Sequence, residues 1–180
     1  MKNKLTILAL FFLVIITQSC SVDKPESYFG KTTLNVNKYI DFGSVDFQRM
    51  IEMQSKNGLY ANIDGKFITS SDNFETHVKT YMIPNIETDI ENVKKLKQTE
   101  DTKELIEASL EVYNFVKSKY ETDYLKIAKL LDQKANEDII IKAIKELEEQ
   151  NLDELAEKID ALHKIALPYA KANGIEVSFF

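Results

Sequence analysis

From Leu105 to Leu131 a side chain suited to burial returns every three or four residues: Leu105, Ser109, Val112, Val116, Tyr120, Tyr124, Ile127 and Leu131. Seven steps cover 26 residues, about 3.7 per step, which fits an α-helix with one buried stripe and exceeds the 3.5 of a left-handed coiled coil. A helix of that length with one apolar face has to lie against other helices, so the stretch predicts a packed bundle. Asp101 with Glu104 marks its start. A second stripe, Phe74, Val78, Met82, Ile86, Ile90 and Val93, opens with Asp72 and Glu75 and ends near Lys97. Pro84 lies inside it and should kink the helix, because proline removes a backbone donor and crowds the carbonyl four residues earlier.

After a turn at Lys134 to Asn136 come Ile139, Ile140, Ile141, Ile144 and Leu147, then Leu152, Leu155, Ile159, Leu162, Ala166 and Tyr169. Asn151 with Glu154 can cap a new helix, so two abutting helices are expected there in preference to one kinked helix. Pro168 should bend the last one and Gly174 end it. Nearer the N-terminus, Tyr39 to Lys56 contains a helix with Ser44 as its cap and Gly58 at its close. Leu59 to Thr69 is the clear β signal, with Asp64-Gly65 between two apolar-rich arms favouring a two-residue type I′ hairpin. Ile175 to Phe180 could add a third strand. The fold class is therefore mainly α: a helical bundle of four to five helices with a small β-hairpin near 59–69.

The first twenty residues follow a different logic. Lys2 and Lys4 give a positive start, Leu5 to Thr17 is uncharged, and Ile16-Thr17-Gln18-Ser19 leads into Cys20, the chain's one cysteine. That order is a secretory signal peptide, and it resembles the lipobox of bacterial lipoproteins. The resemblance covers these residues alone. It implies cleavage between Ser19 and Cys20, acyl chains such as palmitate on Cys20, and an exported protein held in the cell envelope. The outer membrane is expected over the inner if the source is diderm. An uncleaved membrane helix is disfavoured, since spanning takes about 20 apolar residues. The chain then divides into a signal peptide over 1–19, a lipidated N-terminus and tether over 20–37, and a single helical domain over 38–180. Pro25 and Gly30 break periodicity in the tether, where Thr32 to Val36 could form a short strand.

Losing Lys2 and Lys4 leaves 21 Lys+Arg against 29 Asp+Glu, net −8. A surface that acidic argues against nucleic acid, whose affinity comes largely from phosphate neutralisation, and against adhesion to an anionic leaflet. The membrane partner is reached through the lipid on Cys20. With that thiol acylated no disulfide is available, and helix packing has to supply the stability.

Candidate chemistry is sparse. The two histidines are His77 and His163. Asp160 and His163 stand three apart, as in half of a carboxylate-bridged di-metal site, but His77 has Phe74 at the matching place, so no second half exists. Haem ligation by His163 opposite Met50, Met53 or Met82 is selected by nothing in the spacing, and Met50 and Met53 read as gap-filling core. Asn62, Asp64 and Gly65 brush against a calcium loop, which fails at its first and twelfth places. No Gly-x-Ser-x-Gly and no glycine-rich phosphate loop is present. Glu146, Glu148, Glu149, Asp153, Glu154 and Glu157 alternate with Lys142, Lys145 and Lys158, a solvated, ion-paired face. The expectation is no metal, no cofactor and no catalytic centre.

Tyr113, Tyr120 and Tyr124 lie roughly along one side of the long helix. They are either an interaction face, since tyrosine is favoured where a surface is bound, or core at a bundle edge. The sequence thus points to a lipid-anchored envelope protein acting as a tethered binding or structural module on an envelope protein partner. The alternative is a small-ligand or cofactor carrier using a pocket within the bundle.

Overall fold

The computed structural model describes residues 23–177 apart from Asn57, Asp64 and Asp72, with no side-chain account of Ile63 or of 69–71. The signal peptide, Cys20 and the last three residues lie outside the described residues. Five helices and one hairpin make up the described chain. Helix α1 is Pro25–Thr32, followed by a 3-10 turn over Leu34–Tyr39; α2 is Ser44–Lys56. Strands β1 (Leu59–Ile63) and β2 (Lys66–Ser71) pair antiparallel across a two-residue turn, with Ile63 opposite Lys66 and a bulge between Leu59 and Ala61. Gly65 takes the left-handed φ of 77° that such a turn demands. The fold is mainly α, as expected, and its sheet has two strands. Residues 175–177, where a third was expected, are not strand.

Phe74–His77, a π turn at Val78–Met82 and Ile83–Lys94 run on as one helix, α3 (74–94). Lys103–Lys119, a second π turn at Tyr120–Tyr124 and Leu125–Asp132 likewise form α4 (103–132). Helix α5 is Glu137–Ala172, 36 residues without a break. The two abutting helices expected in this stretch are therefore one. Asn151 does not cap a new start; its buried amide donates to the Leu147 carbonyl one turn back, at 2.7 Å. A polar residue satisfied inside the helix carries no stop signal.

The expected tether is also corrected. Residues 25–37 fold into the domain, with Tyr28 and Phe29 at 1% and 2% exposure and Val36 at 0%. Pro25 occupies the first helical turn, where its missing N–H is an orphan anyway, so it starts α1 instead of preventing it. Two long-range bonds fasten the segment: Tyr28 donates to the Lys97 carbonyl at 2.8 Å and Tyr113 to the Lys31 carbonyl at 2.7 Å. Helix α1 packs on α3, α4 and α5, and α4 lies along both α3 and α5. One apolar core joins them, from Phe29 and Val36 through Leu105, Val112 and Ile127 to Leu155 and Leu162.

Two helix starts are capped from other helices. The Asp132 carboxylate at the end of α4 accepts from Phe74 N (2.8 Å) and Glu75 N (3.0 Å) at the start of α3. Asn73 caps the same turn from within, its side chain accepting from Thr76 N; Asp72, expected to open this helix, lies outside the described residues. Glu148 of α5 accepts from Ser44 N at 2.7 Å, placing its charge on the positive end of α2. Gly43, at φ 96°, lets it approach: a Cβ there would stand 2.7 Å from the Glu148 oxygen. Ser44 is the first residue of α2, and Glu148 is half-buried, unlike the solvated face it was assigned to. No helix among the described residues is long and apolar enough to cross a membrane.

Candidate functional site: a cleft where two π turns meet

Pro84 offers no N–H to the carbonyl of Thr80, and the backbone just before it widens. The Ile83 N–H reaches Val78 O, five residues back, which is the π register. The second π turn, at 120–124 in α4, touches the first. Such turns concentrate at functional sites because they turn side chains out of the regular stripe. Here both turns edge a cleft of about 560 Å³ between α2, α3, β1 and the 3-10 turn. Along α3 its wall runs from His77 through Tyr81, Met82, Asn85 and Thr88 to Asp89, twelve residue steps or about 18 Å of helix. Asp46, Arg49, Met50 and Met53 line it from one face of α2.

One group of lining residues is charged. Asp89 is buried, and accepts from Tyr39 Oη at 2.7 Å, Lys38 Nζ at 3.0 Å and Asn35 Nδ2 at 3.3 Å. Burial, then the Asp89 bond, raises the Tyr39 hydroxyl far above its ordinary range. Asp46 is 7% exposed and accepts from Tyr124 Oη at 2.9 Å. That hydroxyl in turn accepts from Gly43 N at 2.7 Å. Arg49 stands 3.7 Å from the other Asp46 oxygen and makes a closer pair with Asp41. Desolvation outweighs these partners and pushes the Asp46 carboxyl up to about 6. A carboxyl so placed, facing a cleft, is a recurrent mark of a functional position.

The other group is soft and aromatic. His77 is 4% exposed, and its Nδ1 lies 2.7 Å from the Tyr60 carbonyl, which only accepts, so Nδ1 carries the proton. Burial lowers the imidazole's pKa and favours the neutral ring. The ring stacks on Tyr81 with centroids 5.2 Å apart, and Tyr81 packs in turn on Tyr60 and Phe67 of the hairpin. Met50, Met53 and Met82 line the cleft with His77.

Tyr113, Tyr120 and Tyr124, raised as an interaction face, are not a surface: their exposures are 0%, 3% and 0%. The long helix turns them inward. Tyr113 anchors α1, Tyr124 bonds Asp46, and Tyr120 forms part of the cleft wall. Asp160 and His163 border a separate shallow hollow on α5 with Leu167 and Pro168, away from His77. Among the described residues no three His, Cys, Asp or Glu side chains gather as a metal site.

Asp46, Asp89 and His77 were not singled out together by the sequence. One signal was available for Asp89, which follows Ile86 and precedes Ile90 and Val93 on the buried stripe, where an unpaired carboxylate would be costly. Comparison with protein families, curated proteins and solved structures finds no match to this chain.

Proposed function

We propose that the mature protein is a lipid-anchored envelope receptor for a small ligand, bound in the cleft between α2, α3 and the hairpin. The observation that carries this reading is the cleft itself. Its volume, about 560 Å³, is that of a ligand site, and buried Asp46, Asp89 and His77 converge on it with tyrosine rings around them. Binding is favoured over turnover because His77 is oriented by a backbone carbonyl and bonds no nucleophile. The lipid on Cys20 remains the proposed anchor. With 25–37 packed into the domain, the bundle would ride close to the membrane, with few residues between Cys20 and Pro25.

A second reading is a docking module for an envelope protein. It is supported by Ile139 and Ile141, 53% and 55% exposed near the start of α5. A thermal-shift screen of small polar and aromatic compounds separates the two. Hits should stabilise the wild type and a Lys142→Trp control on α5, and should be lost in Thr88→Trp, whose exposed position lets the indole fill the cleft. Hits that survive Thr88→Trp, or none from a panel extended to inorganic ions, would remove the receptor reading.

A further inference from the structure

The cleft carries an unusual donor set. Met50, Met53 and Met82 are three of the chain's four methionines, and all three line the same cavity as the nearly buried histidine. Chance core filling does not require this. Met50 and Met53 stand three apart on α2, so their side chains rise from neighbouring positions on one face. Met82 and His77 stand five apart on α3 across the π turn, whose wider register brings such positions towards one side of the helix.

His77 is arranged as a ligating histidine is. Its Nδ1–H is committed to the Tyr60 carbonyl at 2.7 Å, the outer bond that fixes a metal-binding imidazole and leaves Nε2 as the bare donor. Nδ1 makes the bond that holds the ring, and Nε2 is the ring nitrogen left over on a residue that lines the cleft. Stacking on Tyr81 holds the ring plane.

Resting on the receptor reading above, we propose that the cleft's ligand is a soft monovalent metal ion, Cu(I) or Ag(I), held by the Met50, Met53 and Met82 thioethers and His77 Nε2. Three neutral sulfurs and one neutral nitrogen suit a soft ion of single charge; calcium and magnesium demand oxygen, and zinc sites are built from thiolate, imidazole and carboxylate. Methionine's three rotatable bonds let the sulfurs close on an ion without moving the helices. This departs from the gap-filling role that spacing alone assigns to Met50 and Met53. Asp46 and Arg49, one turn from Met50 and Met53 on α2, pair with each other, and Asp89 pairs with Lys38, so the charges beside the thioethers offset one another.

The test uses the full chain in detergent, with Cys20 acylated or replaced by serine so that no thiol competes. Ag(I) is titrated by calorimetry and Cu(I) anaerobically against a chromophoric chelator, with methyl-13C methionine spectra recorded alongside. One ion per chain is expected, with the Met50, Met53 and Met82 methyl signals shifting and, in the uncleaved serine variant, Met1 unchanged. Met50→Leu, Met53→Leu and Met82→Leu keep volume and apolarity, so each should fold and bind at least about tenfold more weakly. His77→Gln should do the same. Binding that is indifferent to the methionine variants, or equally strong for Zn(II), would overturn the proposal. So would an absence of Ag(I) and Cu(I) binding. If compound hits lost in Thr88→Trp persisted in that case, the receptor reading would stand without the metal; if those also failed, both would fall.

Discussion

Replacing Asp46 by asparagine should change how the stability of the fold depends on pH. Asp46 is faced by Tyr124 and Tyr120 from α4, Arg49 from its own helix and Asp41 from the preceding loop. Its carboxyl moves from 3.8 when unfolded to about 6 in the fold, chiefly through desolvation. Because the folded value is the higher one, the neutral acid is the stabilising form. The contribution is fully present below about pH 3.8 and is lost as pH rises towards 6. A shift of roughly two units corresponds to about 3 kcal/mol. Asparagine keeps an acceptor for Tyr124 and cannot ionise. Urea melts of the two proteins at pH 4, 5, 6 and 7.5 should therefore show the variant gaining about 3 kcal/mol on the wild type across that range, with the gain complete near pH 7. At about 2–4 °C per kcal/mol, the relative shift in Tm is roughly 6–12 °C. Other carboxylates titrate in both proteins and cancel in the difference. A difference that is flat with pH, or that grows towards acid, would refute the claim that burial dominates at Asp46.

The remaining predictions test packing, capping and the anchor. Ile127→Ala, at 1% exposure, should cost about 2–5 kcal/mol by cavity formation, against less than about 0.5 for Lys142→Ala on the solvated face of α5; equal losses in urea melts would contradict the burial pattern. Asp132→Ala leaves two N–H groups of α3 without their acceptor and should cost about 0.5–2 kcal/mol. It should also raise amide exchange at Phe74 and Glu75 ahead of the rest of α3, and uniform exchange would argue against capping by Asp132. Cys20→Ser should abolish palmitate labelling and release the protein from membranes with its circular dichroism unchanged. Unlabelled wild type that stays in the membrane fraction would end the lipoprotein proposal.

Helix identity and burial were legible in the sequence because they depend on a local period. Val112, Val116 and Ile127 could be placed in the core from their spacing alone, and the hairpin from Asp64-Gly65 between apolar arms, because each signal lies within a few residues of what it dictates. The same locality caused the errors. Pro25 and Gly30 read as breakers, but whether a short polar segment folds depends on what it meets, and Tyr28 and Phe29 meet three helices. Asn151 read as a cap, although a continuous apolar face on α4 made one long helix the better way to bury Leu147 and Leu155. The cleft belongs wholly to the tertiary level. Pro84 announces a disturbance, but not that α4 widens at the same height, nor that α2 brings Asp46 and two thioethers opposite. The caps supplied by Asp132 and Glu148 are likewise pairings across 58 and 104 residues. A sequence fixes which side chains want burial through their own chemistry; which polar groups can be buried with them depends on partners that only the folded chain brings within bonding distance.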